Sequence, residues 1–263
     1  MTPILVLGAG HMGGALIEGW LAIGAFSAAD LLIVDPQPGH AARAAVAAGA
    51  RLNPPDATIA GARTVVMSVR PQVWREAAAA IAPRLAADAI VVSVAAGVRT
   101  GDLARAFAPR TVARTMPTTG VAVGKGAVSI FAADASARAA AHALFDPVAT
   151  TVDLADEGLM DAAVAVSGSA PAYLYALIEA VAAAGVNEGL SAEASAALVR
   201  ATLIGAAALL DRSGEDPAQL RRQVASPGGT TEAALEVLMG EGGLEDLAAR
   251  TVAAAAARSR QLG

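Results

Sequence analysis

The chain of 263 residues contains no cysteine. Disulfides, thiolate nucleophiles and zinc–thiolate centres are therefore excluded. Histidine is almost as scarce: His11, His40 and His142 lie far apart and lack metal-ligand spacing, so no metal centre is expected. Lysine occurs once, as Lys125, and residues 156–263 hold neither lysine nor histidine. The general acids that usually serve ketone reduction are missing from that part of the chain. Aromatic residues make up 3% and the net charge is −5. Stacking platforms and basic surfaces for nucleic acid are both lacking. The N-terminus has no basic segment and turns from Ile4–Leu7 straight into a glycine loop. The longest internal uncharged run, Ala162–Ile178, is broken by Ser167, Gly168, Ser169 and Pro171. A cytoplasmic protein with no membrane span is expected.

What is present is apolar and alternating. Hydrophobic residues make up 55% and mean hydropathy is +0.52, ample for a core. Short β-branched runs at Ile4–Leu7, Leu31–Val34, Thr64–Met67, Ile90–Val94, Thr111–Thr115, Ala127–Phe131 and Thr150–Leu154 predict strands. Several are continuously apolar, as in a parallel sheet covered on both faces. Helical stretches such as Ala15–Ala22 and Val73–Ala80 intervene. This is the pattern of a doubly wound α/β, Rossmann-type sheet.

The alternation stops near Leu154. Helices are predicted over Glu157–Val166, Ala172–Asn187, Ala192–Arg212, Ala218–Ala225, Glu232–Met239 and Leu244–Arg260. Ser191 and Asp216 suit N-caps, Pro171 and Pro217 suit helix starts, and Gly185, Gly189 and Gly214 suit helix ends. The expected division is a dinucleotide-binding domain at 1–155 and a helical domain at 156–263. Smooth, alanine-rich apolar helices call for burial against a second copy, so a homodimer is expected.

Gly8-Ala9-Gly10-His11-Met12-Gly13 fits G-x-G-x-x-G directly after a strand and at the opening of a helix. Gly8 permits the tight turn, Gly10 lets a pyrophosphate approach the backbone, and Gly13 lets helix and strand pack closely. The helix N-terminus then faces the phosphates. Asp35, ending the second strand, suits ribose hydroxyls and repels a 2′-phosphate, which favours NADH; Arg43 nearby keeps NADPH open. Val69-Arg70-Pro71 follows the strand Thr64–Met67 at the end that faces the crevice, where Arg70 approaches the cofactor or caps a helix. Ser226-Pro227-Gly228-Gly229-Thr230-Thr231 opens a helix with free N–H groups and two hydroxyls, either as an anion site suited to a small carboxylate or as a well-capped helix entry. Ser167-Gly168-Ser169-Ala170-Pro171-Ala172-Tyr173 is a second small-residue turn, read equally as packing or as site.

These segments, in this order and spacing, resemble the pyrroline-5-carboxylate reductases over essentially the whole chain. The resemblance implies a Rossmann domain, a helical dimerisation domain and NAD(P)H-dependent reduction of 1-pyrroline-5-carboxylate to L-proline. By position it implies that Ser226, Gly229, Thr230 and Thr231 hold the substrate carboxylate, with the Thr231 hydroxyl near the ring nitrogen as the catalytic group. Met116-Pro117-Thr118 would lie beside the nicotinamide. Thr118 stands where the family has asparagine, Gly120 where it has proline, His11 where it has asparagine or glutamine, and Arg70 where it has lysine. Gly120 is expected to loosen its turn. A protonated imine is already an electrophile, so hydroxyls suffice where a ketone would need a stronger acid; Tyr173 is a further possible donor. The rivals are a reductase for another cyclic imine or keto acid and a dinucleotide sensor without catalysis. The second anion site speaks against the sensor.

Overall fold

The computed structural model describes residues 1–262, so Gly263 at the end of the expected second domain lies outside it. The chain forms two compact units. The first comprises Met1–Gly168 together with the segment from Ala255 onward; the second comprises Ser169–Ala254.

In the first unit the strands are β1 (Ile4–Leu7), β2 (Leu31–Val34), β3 (Arg51–Leu52), β4 (Thr64–Met67), β5 (Ile90–Ser93), β6 (Val112–Pro117), β7 (Gly126–Phe131) and β8 (Ala149–Asp153). They form one sheet in the order β3-β2-β1-β4-β5-β6-β7-β8. The first six run parallel, β7 is antiparallel to β6, and β8 is parallel to β7. The chain winds outward from β1 to β3, then crosses back to place β4 on the other side of β1. A ligand crevice forms at such a reversal, beyond the carboxyl ends of the strands.

The helices are α1 (His11–Ala22), α2 (His40–Ala47), α3 (Asp56–Ile59), α4 (Trp74–Ile81), α5 (Thr100–Phe107), α6 (Ala135–Phe145) and α7 (Met160–Ala163). Period-two alternation sorts the strand side chains between two cores. Ile4 and Val6 join Leu16, Ile17 and Trp20 of α1 and Leu144 and Phe145 of α6. Leu5 and Leu7 join Trp74 and Ile81 of α4 and Leu103 and Phe107 of α5. β1 and β2 read as unbroken apolar runs because both faces are covered. Trp20 also donates its indole N–H to the Leu144 carbonyl at 2.8 Å, tying α1 to α6. The two-residue edge strand β3 is absent from the sequence reading, because Arg51 is exposed and no periodicity shows in two residues.

The expected helix Glu157–Val166 is not continuous. A 3-10 turn at Glu157–Leu159 leads into α7, and Val164–Gly168 widens into a π turn. Within that turn the Ser167 hydroxyl donates back to the Ala163 carbonyl at 2.7 Å. This segment packs on the first unit, whose contacts extend to Gly168. Glu157 supplies a polar tie. It accepts hydrogen bonds from the N–H and hydroxyl of Thr100, at 2.8 and 2.7 Å, and from Arg114 at 3.0 Å. Arg114 is 4% exposed and its Nε has no partner among the described residues, so Glu157 is the carboxylate that balances a buried guanidinium.

The second unit holds α8 (Ala170–Asn187), α9 (Ala192–Ser213), α10 (Pro217–Gln223), α11 (Thr230–Leu238) and most of α12 (Leu244–Leu262). Ser191 and Asp216 cap α9 and α10 as expected, and Gly189 and Gly214 take the left-handed conformation at φ +97° and +64° after α8 and α9. Gly185 does not end a helix. It lies inside α8, where an added Cβ would come 2.3 Å from the Ser195 hydroxyl of α9. That hydroxyl donates to the Ala182 carbonyl at 2.8 Å, so Gly185 serves close helix packing. Large apolar side chains along these helices remain exposed, among them Val181, Leu198, Ile204 and Leu209. The helical stretches 157–187 and 192–213 are long and apolar enough to cross a membrane by length and composition alone.

Burial opposes ionisation of Glu157, but the Thr100 hydrogen bonds and the Arg114 contact outweigh it and hold the carboxyl below its ordinary value of 4.5. Its stabilising contribution is therefore present above that value and lost as pH falls through the folded-state pKa. Glu157→Ala should cost about 3 kcal/mol at neutral pH, the low end for stranding a buried charge because Glu157 keeps some solvent contact. Denaturant titrations of the two proteins at pH 7 and in mild acid would show the gap closing on acidification.

Candidate cofactor cleft and anion loop

The turn from β1 into α1 has no space for side chains at two of its three glycines. Gly8 sits at φ +89°, and a Cβ there would lie 2.9 Å from Val69 Cγ1 and 3.1 Å from the Ser68 carbonyl. A Cβ on Gly13 would lie 2.1 Å from the Gly8 carbonyl oxygen. Gly10 differs: nothing lies within 4 Å of its absent Cβ, and it is the N-cap of α1 with no side chain capping it. Helix and strand are thus pressed together at Gly8 and Gly13, while the backbone at Gly10 and the first N–H groups of α1 face open space. That is a cradle for an anionic group.

The cradle opens into a cleft of about 830 Å³ over the ends of β1, β2 and β4. Gly8, Gly10, His11, Asp35, Val69 and Arg70 line it, as the sequence predicts. Arg70 faces the cleft and does not cap α4, whose N-cap is Val73. The carbonyl of Arg70 accepts from the Val73 N–H at 3.1 Å, with Pro71 fixing that turn. Met12 does not join the lining; it packs against the core. Ser68, Gln37 and Glu76 also line the cleft and were not singled out from sequence. Ser68 could have been found from its place directly after β4, at the strand reversal; its hydroxyl donates to the Gly8 carbonyl.

Asp35 is 8% exposed and structurally engaged. One carboxylate oxygen accepts from the Ala9 N–H at 2.6 Å, the other from the Gln37 N–H at 2.7 Å. Asn53 pairs with its backbone through both groups of the side-chain amide, at 3.0 Å each. The carboxylate therefore shapes the glycine loop as well as marking the strand end.

Met116, Pro117 and Thr118 lie outside the lining of this cleft. Met116 and Pro117 end β6 and Thr118 follows it; the carboxyl end of β6 shares the sheet edge with β1 and β4 because all three strands run parallel. Three strand spacings separate β1 from β6, about 14 Å. Thr118 accepts from the Ala127 N–H on its hydroxyl at 3.0 Å and donates its own N–H to the Ala127 carbonyl at 2.9 Å, which fixes the start of the turn Thr119–Val123. Gly120 does not loosen this turn. Its carbonyl accepts from the Lys125 N–H at 3.0 Å, and an added Cβ would come 2.6 Å from the Lys125 carbonyl. Close backbone approach, not flexibility, explains glycine at this position.

In the second unit, Ser226-Pro227-Gly228-Gly229 forms a tight turn closed by a hydrogen bond from the Gly229 N–H to the Ser226 carbonyl at 2.9 Å. Pro227 followed by Gly228 at φ +68° is the signature of a type II turn. Gly229 is the N-cap of α11 and has no side chain to offer, so the N-terminal donors of that helix are presented beside the hydroxyls of Ser226, Thr230 and Thr231. The N–H of Gly228 is taken by the carboxylate of Glu232 at 2.6 Å. The expected anion loop thus exists as a formed element, with a carboxylate of the chain's own on one donor. Tyr173, near the start of α8, has a buried hydroxyl without a partner among the described residues. Buried phenols usually find one.

Residues 157–262 match the family model described as pyrroline-5-carboxylate reductase dimerisation, and residues 3–97 match the model described as NADP oxidoreductase, coenzyme F420-dependent. The chain is 39% identical to a pyrroline-5-carboxylate reductase of Pseudomonas aeruginosa, over 99% of this chain and 97% of that protein. It is 33% identical to one from Pisum sativum, over 97% of this chain and 94% of that protein. Among solved structures, it superposes on a pyrroline-5-carboxylate reductase from Coxiella burnetii with TM-score 0.90 and 27% identity, covering 100% of this chain and 98% of that one. The pyrroline carboxylate reductase of Plasmodium falciparum with NADP bound gives TM-score 0.83 and 25% identity at the same coverage.

The Gly120 contact carries a prediction. Gly120→Ala should lower stability by about 1–3 kcal/mol, the usual cost of overpacking. Gly120→Pro, which restores the residue of the resembling family, should destabilise and not improve the enzyme. Thermal melts of both variants against the parent protein would decide.

Proposed function

The chain belongs to the pyrroline-5-carboxylate reductase family, and on that premise we propose that its cofactor cleft and its Ser226–Thr231 loop serve one hydride transfer. The reaction is reduction of 1-pyrroline-5-carboxylate to L-proline with NAD(P)H. The observation that carries the reading is that one chain holds two anion cradles of different kinds. One, at Gly10, is open and leads to a cleft of dinucleotide size; the other is a compact turn with three hydroxyls. A dinucleotide sensor has no use for the second.

The reduced nicotinamide supplies the hydride. The chain's own residues bind, orient and shield. The first N–H groups of α1 hold the pyrophosphate, with His11, Val69 and Arg70 along the cleft wall. Met116, Pro117 and Thr118, at the end of β6, face the nicotinamide end. Ser226, Gly229, Thr230 and Thr231 hold the substrate carboxylate, and the Thr231 hydroxyl stands at the ring nitrogen. The protonated imine accepts hydride at carbon and becomes a secondary amine, so no proton need be delivered to a developing alkoxide. This matches a helical unit without lysine or histidine. Positioning carries the remaining burden, and it is large in bimolecular hydride transfer.

For the cofactor we favour NADH. Each Asp35 oxygen already accepts one backbone N–H and has a further lone pair for a ribose hydroxyl, whereas a 2′-phosphate would meet a buried negative charge. The helical unit is the family's dimerisation domain, so the chain works as a homo-oligomer; the assembly we propose is a homodimer or a higher oligomer built from dimers, which covers the exposed apolar faces of α8 and α9. A cytoplasmic location is part of the same reading, supported by a soluble substrate and cofactor.

The test is loss of reduced-nicotinamide absorbance with racemic 1-pyrroline-5-carboxylate, run separately with NADH and NADPH. Proline should appear with both, faster with NADH; oxidation with neither would point to another imine or keto acid. Thr231→Ala should lower kcat/KM about 10–100-fold, the scale of one hydrogen bond to a charged group, and an unchanged value would remove Thr231 from the site. Asp35→Ser should raise the NADPH-to-NADH ratio of kcat/KM by about tenfold, as expected when a carboxylate at the ribose is removed. A fixed ratio would mean that the carboxylate serves only the glycine loop.

A further inference from the structure

The Ser226–Thr231 loop is not electrically empty. Glu232, the third residue of α11, folds back and accepts a hydrogen bond from the Gly228 N–H at 2.6 Å. A glycine at the N-cap leaves that role unfilled, and Glu232 takes part of it from inside the helix. The bond is short and charge-assisted. The chain therefore places a fixed carboxylate on the segment proposed above to receive the carboxylate of the substrate.

Two negative groups then share one loop, Glu232 on the Gly228 N–H and the carboxylate of the substrate on the neighbouring donors. Like charges a few ångströms apart repel measurably even near the surface of a protein. The ligand in question exists in two charge states. With its ring nitrogen neutral it is a monoanion; with the nitrogen protonated it is a zwitterion, whose cation adjoins its carboxylate. Repulsion from Glu232 bears on the monoanion in full, while the adjacent cation offsets it in the zwitterion. Only the protonated form is a good hydride acceptor.

We infer that Glu232 is a specificity-determining residue that selects the zwitterionic form of the ligand at the Ser226–Thr231 loop. The inference rests on the reading of that loop as the substrate site. It gives Glu232 two separable tasks. As a hydrogen-bond acceptor it holds the Gly228 turn in shape. As a charge it discriminates against simple anions. Glu232→Gln keeps an acceptor for the Gly228 N–H and removes the charge; Glu232→Ala removes both.

The experiment compares two probes of the same ring size, L-proline and cyclopentanecarboxylate. Both carry the carboxylate, and only proline carries the neighbouring ammonium. Their binding to the full-length protein is measured by titration calorimetry with oxidised nicotinamide dinucleotide present. In Glu232→Gln the affinity for cyclopentanecarboxylate should rise about three- to tenfold, the scale of one partly screened charge contact. The affinity for proline should stay level or fall, so the selectivity ratio collapses. Glu232→Ala should weaken both probes, because the turn loses its tether. Equal change for both probes in Glu232→Gln, or none, overturns the inference while leaving the functional reading intact, provided that the parent protein reduces 1-pyrroline-5-carboxylate. A parent protein that neither turns over that imine nor binds proline overturns the functional reading, and the inference with it.

Discussion

Gly13 lies so close to Gly8 that one extra carbon would fall 2.1 Å from a carbonyl oxygen, and the nucleotide half of the molecule is arranged around that contact. It sets the angle at which α1 leaves β1. That angle points the uncapped end of α1 across the strand reversal and brings Trp20 over the sheet to α6. The Ala9 N–H is then positioned to meet the carboxylate of Asp35 from the neighbouring strand. A phosphate-binding turn, a core helix and a strand-end acid are thus consequences of one backbone approach. The glycine fingerprint works by excluding atoms, and the ligand takes the space at Gly10 that the chain leaves open.

The same device recurs away from the cofactor. Gly120 lets the turn after β6 fold against Lys125, Gly19 lets α1 pass the Val121 carbonyl at a distance no side chain would allow, and Gly185 lets α8 approach α9. In a chain poor in aromatic residues, packing density comes from small residues at crossings more than from large ones filling gaps. Departures from the pattern of the resembling family are best judged in this light. Glycine in place of proline at 120 removes a rigid ring and admits a carbonyl, so the turn stays fixed by different means.

Much of this was legible in the sequence. β1 and β2 carry four apolar residues each and β4 carries three after Thr64, between clear turn signals, and their bounds are those expected. Gly8, Gly10, Asp35 and Arg70 announce themselves through fixed offsets from those strands. Tertiary forces decided the rest. Glu157 reads as the first residue of a helix, yet its carboxylate is drawn to the buried Arg114 and to Thr100, and the segment that follows is bent onto the sheet. No local pattern announces a partner 43 residues away. Gly185 reads as a helix end because glycine usually is one; only the approach of Ser195 shows otherwise. Met12 and Thr118 occupy site positions by motif and resemblance, while their side chains are engaged by the core and by Ala127. Glu232 gave no signal beyond an ordinary first-turn acid.

The exposed apolar rows on α8 and α9 bear on how the folded state is defined at all. Leucine, isoleucine and valine side chains there are roughly half open in a single chain, and a helix pair with so little to bury has a weak claim to persist alone. If a second copy supplies the missing cover, the unfolding equilibrium is bimolecular, and protein concentration enters the free energy as directly as temperature does. Dilution would then act as a denaturant. A mutation on either helix would register through the dissociation constant of the assembly before it altered any backbone hydrogen bond within one chain.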